Sequence, residues 1–243
     1  MKLAAIVFSL IFSLFAGSAQ AQSFKNVLLK VTNTSNAIYF APLAVASHAF
    51  PNAMFEPGTA ATPAIEAMAE FGNTAPLITD LTAAGAFAVT AENAVGALAP
   101  GESIFVGLVV GPGLDYISIA GMLVPTNDGF VGLNSYQVPL NSTGQITLGM
   151  DGYDAGTEPN NELRSCPGQP PFVGDPLDDP NVPGNPGLNG GVCGTGAQGS
   201  PESPLIHVHR GNLGDLDLTG GVSDLDSRVH RWLNPIAKVT IYY

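Results

Sequence analysis

The chain of 243 residues is 45% hydrophobic, contains 29 Gly and 20 Pro, and has a formal net charge of −12 from 20 acidic and 8 basic residues. Its Gly and Pro content excludes a long coiled coil, and its apolar fraction is high enough to form a folded core. So few Lys and Arg exclude binding to the phosphates of nucleic acid and disfavour an anionic membrane surface. An acidic surface is instead suited to divalent cations.

The N-terminus has the pattern of a cleavable signal peptide. Lys2 precedes an apolar run over residues 3–15, and Ala19-Gln20-Ala21 is a typical cleavage site, so we expect cleavage after Ala21. The run is shorter than the ~20 residues that span a bilayer, and no later segment is long and apolar enough to do so. The sequence therefore predicts a signal peptide over 1–21 and a secreted or periplasmic protein with one domain over 22–243.

The predicted elements are mostly strands. The first covers residues 26–33, and a helix over Ala64–Phe71 follows, with Thr62 as N-cap, Pro63 in the first helical position and Gly72 after the end. A further helical turn or two is expected within 75–84. The later predicted strands are 87–91, 103–110, 116–123, 145–151 and 236–242. Short strands separated by turn signals indicate an all-β fold, an antiparallel β-sandwich with one or two short helices.

Residues 159–204 form a Pro/Gly-rich stretch without hydrophobic periodicity, and we interpret it as a long loop within the single domain. It contains the only two cysteines, Cys166 and Cys193. An oxidising compartment favours a disulfide between them, with free thiols as the alternative. A zinc site would need two more soft ligands nearby.

Acidic side chains occupy two turns at strand ends. Asp128 lies in the turn 125–129, and Asp154 and Glu158 lie in the segment YDAGTE over 153–158. Calcium takes six to eight oxygen ligands, which loops at one end of a sandwich can supply. Alternatively, Asp128 and Asp154 are turn formers whose carboxylates accept hydrogen bonds from nearby backbone amides. The residues alone leave both interpretations open.

Two other groups resemble metal sites less closely. His207 and His209 would share one face of a strand and could bind zinc with His230 or a nearby carboxylate, but two ordinary hydrogen-bonded histidines are favoured. The segment Asp215–Asp226 partly matches EF-hand spacing but lacks flanking helices, so it is interpreted as an acidic loop. Trp232 is expected to pack at the sandwich edge before the last strand. The sequence contains neither a nucleophile elbow nor a phosphate-binding loop.

The motifs PTNDGFVGL (125–133), YDAGTE (153–158) and NPIAKVTI (234–241) together resemble the spondin N-terminal domain, the F-spondin/mindin-type module. Residues 47–77 and HVHRG (207–211) are similar to its exported bacterial branch. The resemblance extends from about residue 26 to the C-terminus. It implies a C2-like β-sandwich that binds Ca²⁺ through Asp128, Asp154 and Glu158. Where animal members have an aromatic residue after the first acidic position, this chain has Gly129.

The resemblance further implies a non-catalytic adhesion or recognition module that acts outside the cell or at its envelope. Its partner would be a protein or a glycan that the sequence does not identify. Two alternatives from other classes remain at this point. One is a secreted hydrolase that uses the clustered carboxylates, and the other is a metal-free structural protein of the envelope.

Overall fold

A computed structural model describes residues 23–51, 53–92, 96–163, 194–197, 203–217, 219 and 221–243. The predicted signal peptide over 1–21 and both cysteines, Cys166 and Cys193, lie outside the described residues. Most of the Pro/Gly-rich stretch lies outside them as well.

The described chain contains ten strands and two short helices. The strands before the helices are β1 (Lys25–Asn33), β2 (Tyr39–Phe40) and β3 (Leu43–His48). The helices are α1 (Pro63–Phe71) and α2 (Ala75–Ala83). The remaining strands are β4 (Phe87–Ala91), β5 (Ser103–Val110), β6 (Tyr116–Val124), β7 (Gly129–Gln137), β8 (Gln145–Asp154), β9 (His207–Val208) and β10 (Ala237–Tyr242).

These strands form one sheet in the order β4-β3-β6-β7-β8-β10-β1-β5, with β2 beside β6 and β9 beside β8. All of these strand pairs are antiparallel. The sheet curves until its end strands, β4 and β5, come into contact. The Ser47 hydroxyl of β3 donates to the Val109 carbonyl of β5 at 2.6 Å across this closure. The all-β prediction is confirmed: the sheet is nearly closed, with a shape between a barrel and a sandwich.

Alternation along the strands explains the position of the main core. In β1, Val27, Leu29 and Val31 are buried, whereas the residues between them are exposed or half-buried. Successive side chains of a strand point to opposite faces, so the alternate residues of each strand line the inside of the curved sheet. The members of this core include Phe40, Leu108, Ile119, Met150, Val239 and Ile241.

The two helices cover the outer face of β3, β6 and β7 and form a second core there. Helix α1 has the predicted caps: the Thr62 hydroxyl accepts from the Ile65 N–H at 3.2 Å, and Gly72 has the left-handed φ of 64°. Helix α2 is held to β4 by a hydrogen bond between the hydroxyls of Thr74 and Thr90. No helix in the described ranges is long and apolar enough to cross a membrane. The core between helices and sheet includes Ala46, Ile65, Met68, Leu77, Ala120 and Phe130.

Strands β3 and β7 were missed by the sequence analysis. All six residues of β3 are buried, because the sheet covers one face and the helices cover the other. Alternation of apolar and polar residues, the signal of a half-buried strand, is therefore absent from β3. Strand β7 begins with Gly129 directly after an acidic turn and contains the polar pair Asn134-Ser135 at its bulge, so its sequence is typical of a loop.

Trp232 packs inside the molecule and not at its edge. Its side chain is 6% exposed and belongs to the main core, where it lies against the backbone of Gly152 in β8. A Cβ atom added to Gly152 would lie 2.3 Å from Trp232 Cη2. Glycine at 152 is therefore required by the close approach of the indole ring.

Gly152→Ala should destabilise the protein by about 1–3 kcal/mol, because the rigid indole ring and the strand must separate to admit the methyl group. Gly107→Ala is the matched control: Gly107 also lies in a strand, but a Cβ there meets no atom within 4 Å. The control should change stability by less than about 1 kcal/mol. Urea unfolding of both variants measures the difference, and equal stabilities would contradict the assigned packing.

Candidate metal centre

The turn between β6 and β7 places Asp128 at one end of the sheet. The Thr126 hydroxyl donates to the Leu123 carbonyl at 2.7 Å and accepts from the Gly129 N–H at 3.0 Å. A Cβ on Gly129 would lie 2.5 Å from that hydroxyl, so a larger residue there would break the turn. The turn directs Asp128 inward, and its side chain is fully buried.

The antiparallel pairing of β7 with β8 brings Asp154 to the same place. Gly129 is paired with Asp154, and the Ala155 N–H donates to the Asp128 carbonyl at 3.2 Å. Asp154 is 1% exposed, and its Oδ1 accepts from the Gly156 N–H at 2.7 Å. Because Gly156 has a φ of 74°, the chain turns back over the two carboxylates.

The two oxygens of Asp128 differ in their surroundings. Oδ2 accepts from the Thr157 N–H at 2.8 Å, the Thr157 hydroxyl at 3.3 Å and the Glu158 N–H at 3.1 Å. Oδ1 is buried and has no hydrogen-bond partner among the described residues. Burial, followed by repulsion from Asp154, raises the pKa of Asp128 to about 6. The site therefore contains a buried carboxylate oxygen without a partner, next to a second carboxylate.

The structure brings Asp128 and Asp154 together but does not add the Glu158 side chain to them. Glu158 contributes its backbone N–H to Asp128 Oδ2, and its side chain is half-buried. Within the described ranges, no three side chains of the His, Cys, Asp and Glu types converge closely enough to hold a metal ion.

The donor set fits a hard cation. Asp128 and Asp154 offer carboxylate oxygens, which suit Ca²⁺ better than softer metals. Asp128 Oδ1 is free to coordinate, whereas Asp128 Oδ2 and both oxygens of Asp154 already accept hydrogen bonds. Two carboxylates fall short of the six to eight oxygens that Ca²⁺ takes, so backbone carbonyls, water or a moved Glu158 would have to complete the site.

Asp154 is oriented by Asn160, which the sequence analysis did not identify. The Asn160 amide donates to Asp154 Oδ2, and its carbonyl oxygen lies 2.9 Å from His209 Nε2. His209 Nδ1 accepts from the Gly211 N–H, so Nε2 carries the proton and donates to Asn160. The relay Asp154–Asn160–His209 ends on Trp232, whose ring centroid lies 5.1 Å from that of the histidine.

The histidines suggested as a zinc pair behave differently in the structure. His209 uses both ring nitrogens in hydrogen bonds, and burial lowers its pKa to about 3, so it is neutral. His207 is half-buried, and its Nδ1 bonds the Leu205 carbonyl and lies 3.8 Å from Asp154 Oδ1. His230 Nδ1 accepts from the Asp226 N–H. These contacts are those of hydrogen-bonded histidines, the interpretation favoured from sequence.

Carboxylates of the acidic loop Asp215–Asp226 accept hydrogen bonds from backbone N–H groups. Asp215 Oδ2 accepts from the N–H groups of Val222 and Ser223 at 2.6 and 2.9 Å. Asp226 pairs with the Arg228 guanidinium at 2.6 Å, which lowers the Asp226 pKa to about 2. These hydrogen bonds fix the backbone of the loop around its acids.

Glu162 is a further structural carboxylate that the sequence does not reveal. It is 5% exposed and accepts from the N–H groups of Leu213 and Gly214 at 2.7 and 2.8 Å and from the Ser223 hydroxyl at 2.7 Å. Its φ of 56° is unusual for a residue with a side chain. It lies in the Pro/Gly-rich stretch, where no pattern distinguishes a buried acid from an exposed one.

The protein is of the antiparallel all-β class, and buried acidic side chains lie in the loops at one end of its sheet. The family model Spondin_N, the spondin N-terminal domain, matches residues 30–167, more than half of the chain, and the chain therefore belongs to this family. The match contains Asp128, Asp154 and Glu158. The family consists of extracellular recognition and adhesion modules and is generally non-enzymatic. No curated protein matches the chain significantly.

The stability of the metal-free protein should fall as the pH rises from about 4 to 6. Asp128 has a pKa of about 6 in the folded state against a usual value of 3.8, so within this window the folded state retains a proton that the unfolded state has released. The loss is on the order of 3 kcal/mol, and above the folded pKa it is complete.

Urea unfolding in EDTA at several pH values checks this expectation. Asp128→Asn keeps an acceptor for the amides of Thr157 and Glu158 but does not titrate, so the pH-dependent difference between wild type and variant isolates the carboxylate. Parallel pH profiles would show that Asp128 is not perturbed in the folded protein.

Proposed function

We propose that this protein is an exported, non-catalytic recognition module whose loops at one end are fixed by Ca²⁺. The observation that carries the proposal is the buried Oδ1 of Asp128, which has no hydrogen-bond partner among the described residues and lies beside the carboxylate of Asp154. Burying a charge without a partner is costly, and two neighbouring carboxylates make it more so. A bound cation offsets both penalties.

Asp128 and Asp154 would hold the ion, and the chain around them favours that role. Asn160 and His209 orient Asp154 in the way that outer hydrogen bonds orient metal ligands in proteins. Glu158 lies in the loop that closes over Asp128, so a change of its side-chain rotamer is the simplest route to a third carboxylate. The ion supplies positive charge that ties the turn 125–129 to the segment 153–158.

Burial of the carboxylates argues against the hydrolase alternative. Asp128 is fully buried and Asp154 is 1% exposed, so a polymeric substrate has no access to either oxygen pair. A general acid or base must come within hydrogen-bond reach of the group it serves. A site closed in this way suits a structural ion that shapes the neighbouring loops for a partner, which we propose to be a protein or a glycan.

Calcium should raise the melting temperature of the protein, because a ligand that binds only the folded state stabilises it. At a hundredfold excess over Kd the gain is about 2.7 kcal/mol, which corresponds to roughly 5–10 °C for a chain of this size. Thermal unfolding in EDTA, in Mg²⁺ and in Ca²⁺ measures the effect.

Asp128→Asn should abolish the calcium-dependent rise, whereas Asp80→Asn should retain it. Asp80 lies on the exposed side of α2, so its replacement removes the same charge away from the site. Glu158→Gln should shift the response to higher calcium concentrations if its carboxylate joins the ion. A wild-type protein indifferent to calcium would overturn the proposed site.

We also propose that Cys166 and Cys193 form a disulfide. A hydrogen bond connects the segment before Cys166 to the segment after Cys193: the Ala197 N–H donates to the Asn161 carbonyl at 2.7 Å. Gly194, next to Cys193, donates its N–H to Asp224. Peptide mass mapping of the exported protein without reductant should recover the two cysteines in one linked peptide, and its cleaved N-terminus should be Gln22. Alkylation of both thiols before reduction would contradict the disulfide.

A further inference from the structure

Half of the curved sheet presents an outer face to solvent. Helices α1 and α2 pack on β3, β4, β6 and β7, while the outward side chains of β5, β1, β10 and β8 are exposed or half-buried. The strand registers place these side chains in rows, and we term them together the open face. Its members are Asn26, Leu28, Lys30, Thr32, Ser103, Phe105, Gly107, Val109, Gln145, Thr147, Gly149, Lys238, Thr240 and Tyr242.

The open face differs in charge from the rest of the chain. None of its members is acidic, although the chain has 20 acidic residues against 8 basic ones. It carries Lys30 and Lys238, and neither ammonium forms an ion pair with a described residue. Two acids adjoin the face: Glu102 precedes β5 by one residue, and Asp151 is the next outward residue of β8 after Gly149. The face is therefore a cationic area on an anionic protein.

Its centre is apolar. Phe105 is 58% exposed, Leu28 43% and Tyr242 38%. Lys30 is paired with Phe105 across the strands, and its ammonium lies 5.8 Å from the ring centroid. Gly107 is paired with Leu28, and a Cβ at Gly107 would meet no atom within 4 Å. The missing side chain leaves a shallow depression beside the aromatic ring.

Rows of hydroxyl groups flank this centre. Thr32 and Ser103 are hydrogen bonded to each other at 2.9 Å, and Thr147 and Thr240 at 2.8 Å. In each pair one hydroxyl donates, so the other retains a proton for a ligand. Exposed aromatic rings, hydroxyls and ammonium groups on one surface are suited to a ligand that has ring faces, hydroxyls and negative charge.

The size and charge of the open face disfavour other occupants. Four strands ~4.8 Å apart with rows ~7 Å apart cover about 500 Å². A second copy packed face to face would bury about 1,000 Å², less than the ~1,200–2,000 Å² of stable interfaces, and would oppose like charges. An anionic membrane is a broad surface that would also face the acidic remainder of a chain of net charge −12, whereas a narrow polymer contacts the open face alone. A narrow, linear polyanion fits the area of the open face and is opposite in charge to its two lysines.

We propose that the open face binds an anionic polysaccharide of linked uronic-acid rings. Sugar rings stack on Phe105 and Tyr242, with Gly107 leaving space for the chain of rings. The carboxylates of the polymer pair with Lys30 and Lys238, because opposite charges across an interface guide and orient binding. This inference deepens the proposed recognition function by naming the partner class, and it uses residues separate from the acidic site.

The test is binding of the purified protein to three immobilised polymers in EDTA, which prevents calcium from bridging protein and polymer. Polygalacturonate has rings and carboxylates, dextran has neutral rings, and poly-L-glutamate has carboxylates without rings. We expect binding to polygalacturonate that weakens as salt rises, and binding at least tenfold weaker to the other two. Equal binding to poly-L-glutamate would overturn the role of the rings, and absence of binding to polygalacturonate would overturn the proposal.

Variants locate the binding on the open face. Lys30→Gln, Phe105→Ala and Gly107→Glu should each weaken polygalacturonate binding at least fivefold. Thr79→Glu adds the same charge as Gly107→Glu on the exposed side of α2 and should bind as wild type. Melting temperatures of all variants identify any that fail to fold. Unchanged binding by folded Gly107→Glu would place the polymer elsewhere.

Asp128→Asn separates this inference from the proposed calcium site. It should lose the calcium response but bind polygalacturonate as wild type does, because residue 128 is not part of the open face. A protein that responds to calcium but does not bind the polymer would overturn only the present inference. A protein that binds the polymer but ignores calcium would overturn only the calcium site.

Discussion

Two carboxylates are buried side by side where β7 begins and β8 ends, and the loops at that end of the sheet are organised around them. The pairing of Gly129 with Asp154 forces the proximity, since antiparallel partners lie opposite each other. Backbone amides of the segment 153–158 then turn toward Asp128 and Asp154 and stabilise part of their charge. The oxygen left without a partner, Asp128 Oδ1, is the reason that a cation suits the site.

Acidic side chains hold backbone elsewhere in the chain as well. Glu162, Asp215 and Asp226 each accept from two or more N–H groups of their surroundings. An ionised carboxylate accepts strong hydrogen bonds. It can therefore bond the backbone N–H groups of an irregular segment, which have no neighbouring strand to pair with. Glu162, Asp215 and Asp226 are therefore held by hydrogen bonds from neighbouring residues. Asp128 differs, because its Oδ1 has no hydrogen-bond partner among the described residues.

The two halves of the outer surface of the sheet carry different kinds of side chains. One half of its outer surface is covered by α1 and α2 and is apolar, with small residues such as Ala46 and Ala120 at the contact. The other half is the open face, which has no acids and carries lysines, hydroxyls and aromatic rings. The acidic site lies at the strand ends between β7 and β8. The acidic site and the open face therefore lie on different parts of the molecule.

Local patterns in the sequence determined those parts of the fold whose causes are local. Thr62, Pro63 and Gly72 specified the ends of α1, because caps act within one turn of the chain. Apolar runs bounded by turn signals identified strands such as Ser103–Val110. The resemblance of three motifs was sufficient to assign the family that the match over residues 30–167 established.

Only the tertiary structure decided the rest, because it depends on contacts between distant residues. Strand β3 lacks alternation since it is covered on both faces, which becomes evident only when the helices and the sheet are in place. Asn160 and His209 reach Asp154 across a Pro/Gly-rich stretch without periodicity, so no spacing in the sequence could predict the relay. The open face arises from the register of four strands that lie far apart in the chain. Burial, and with it the raised pKa of Asp128, belongs to the folded arrangement and not to the order of residues.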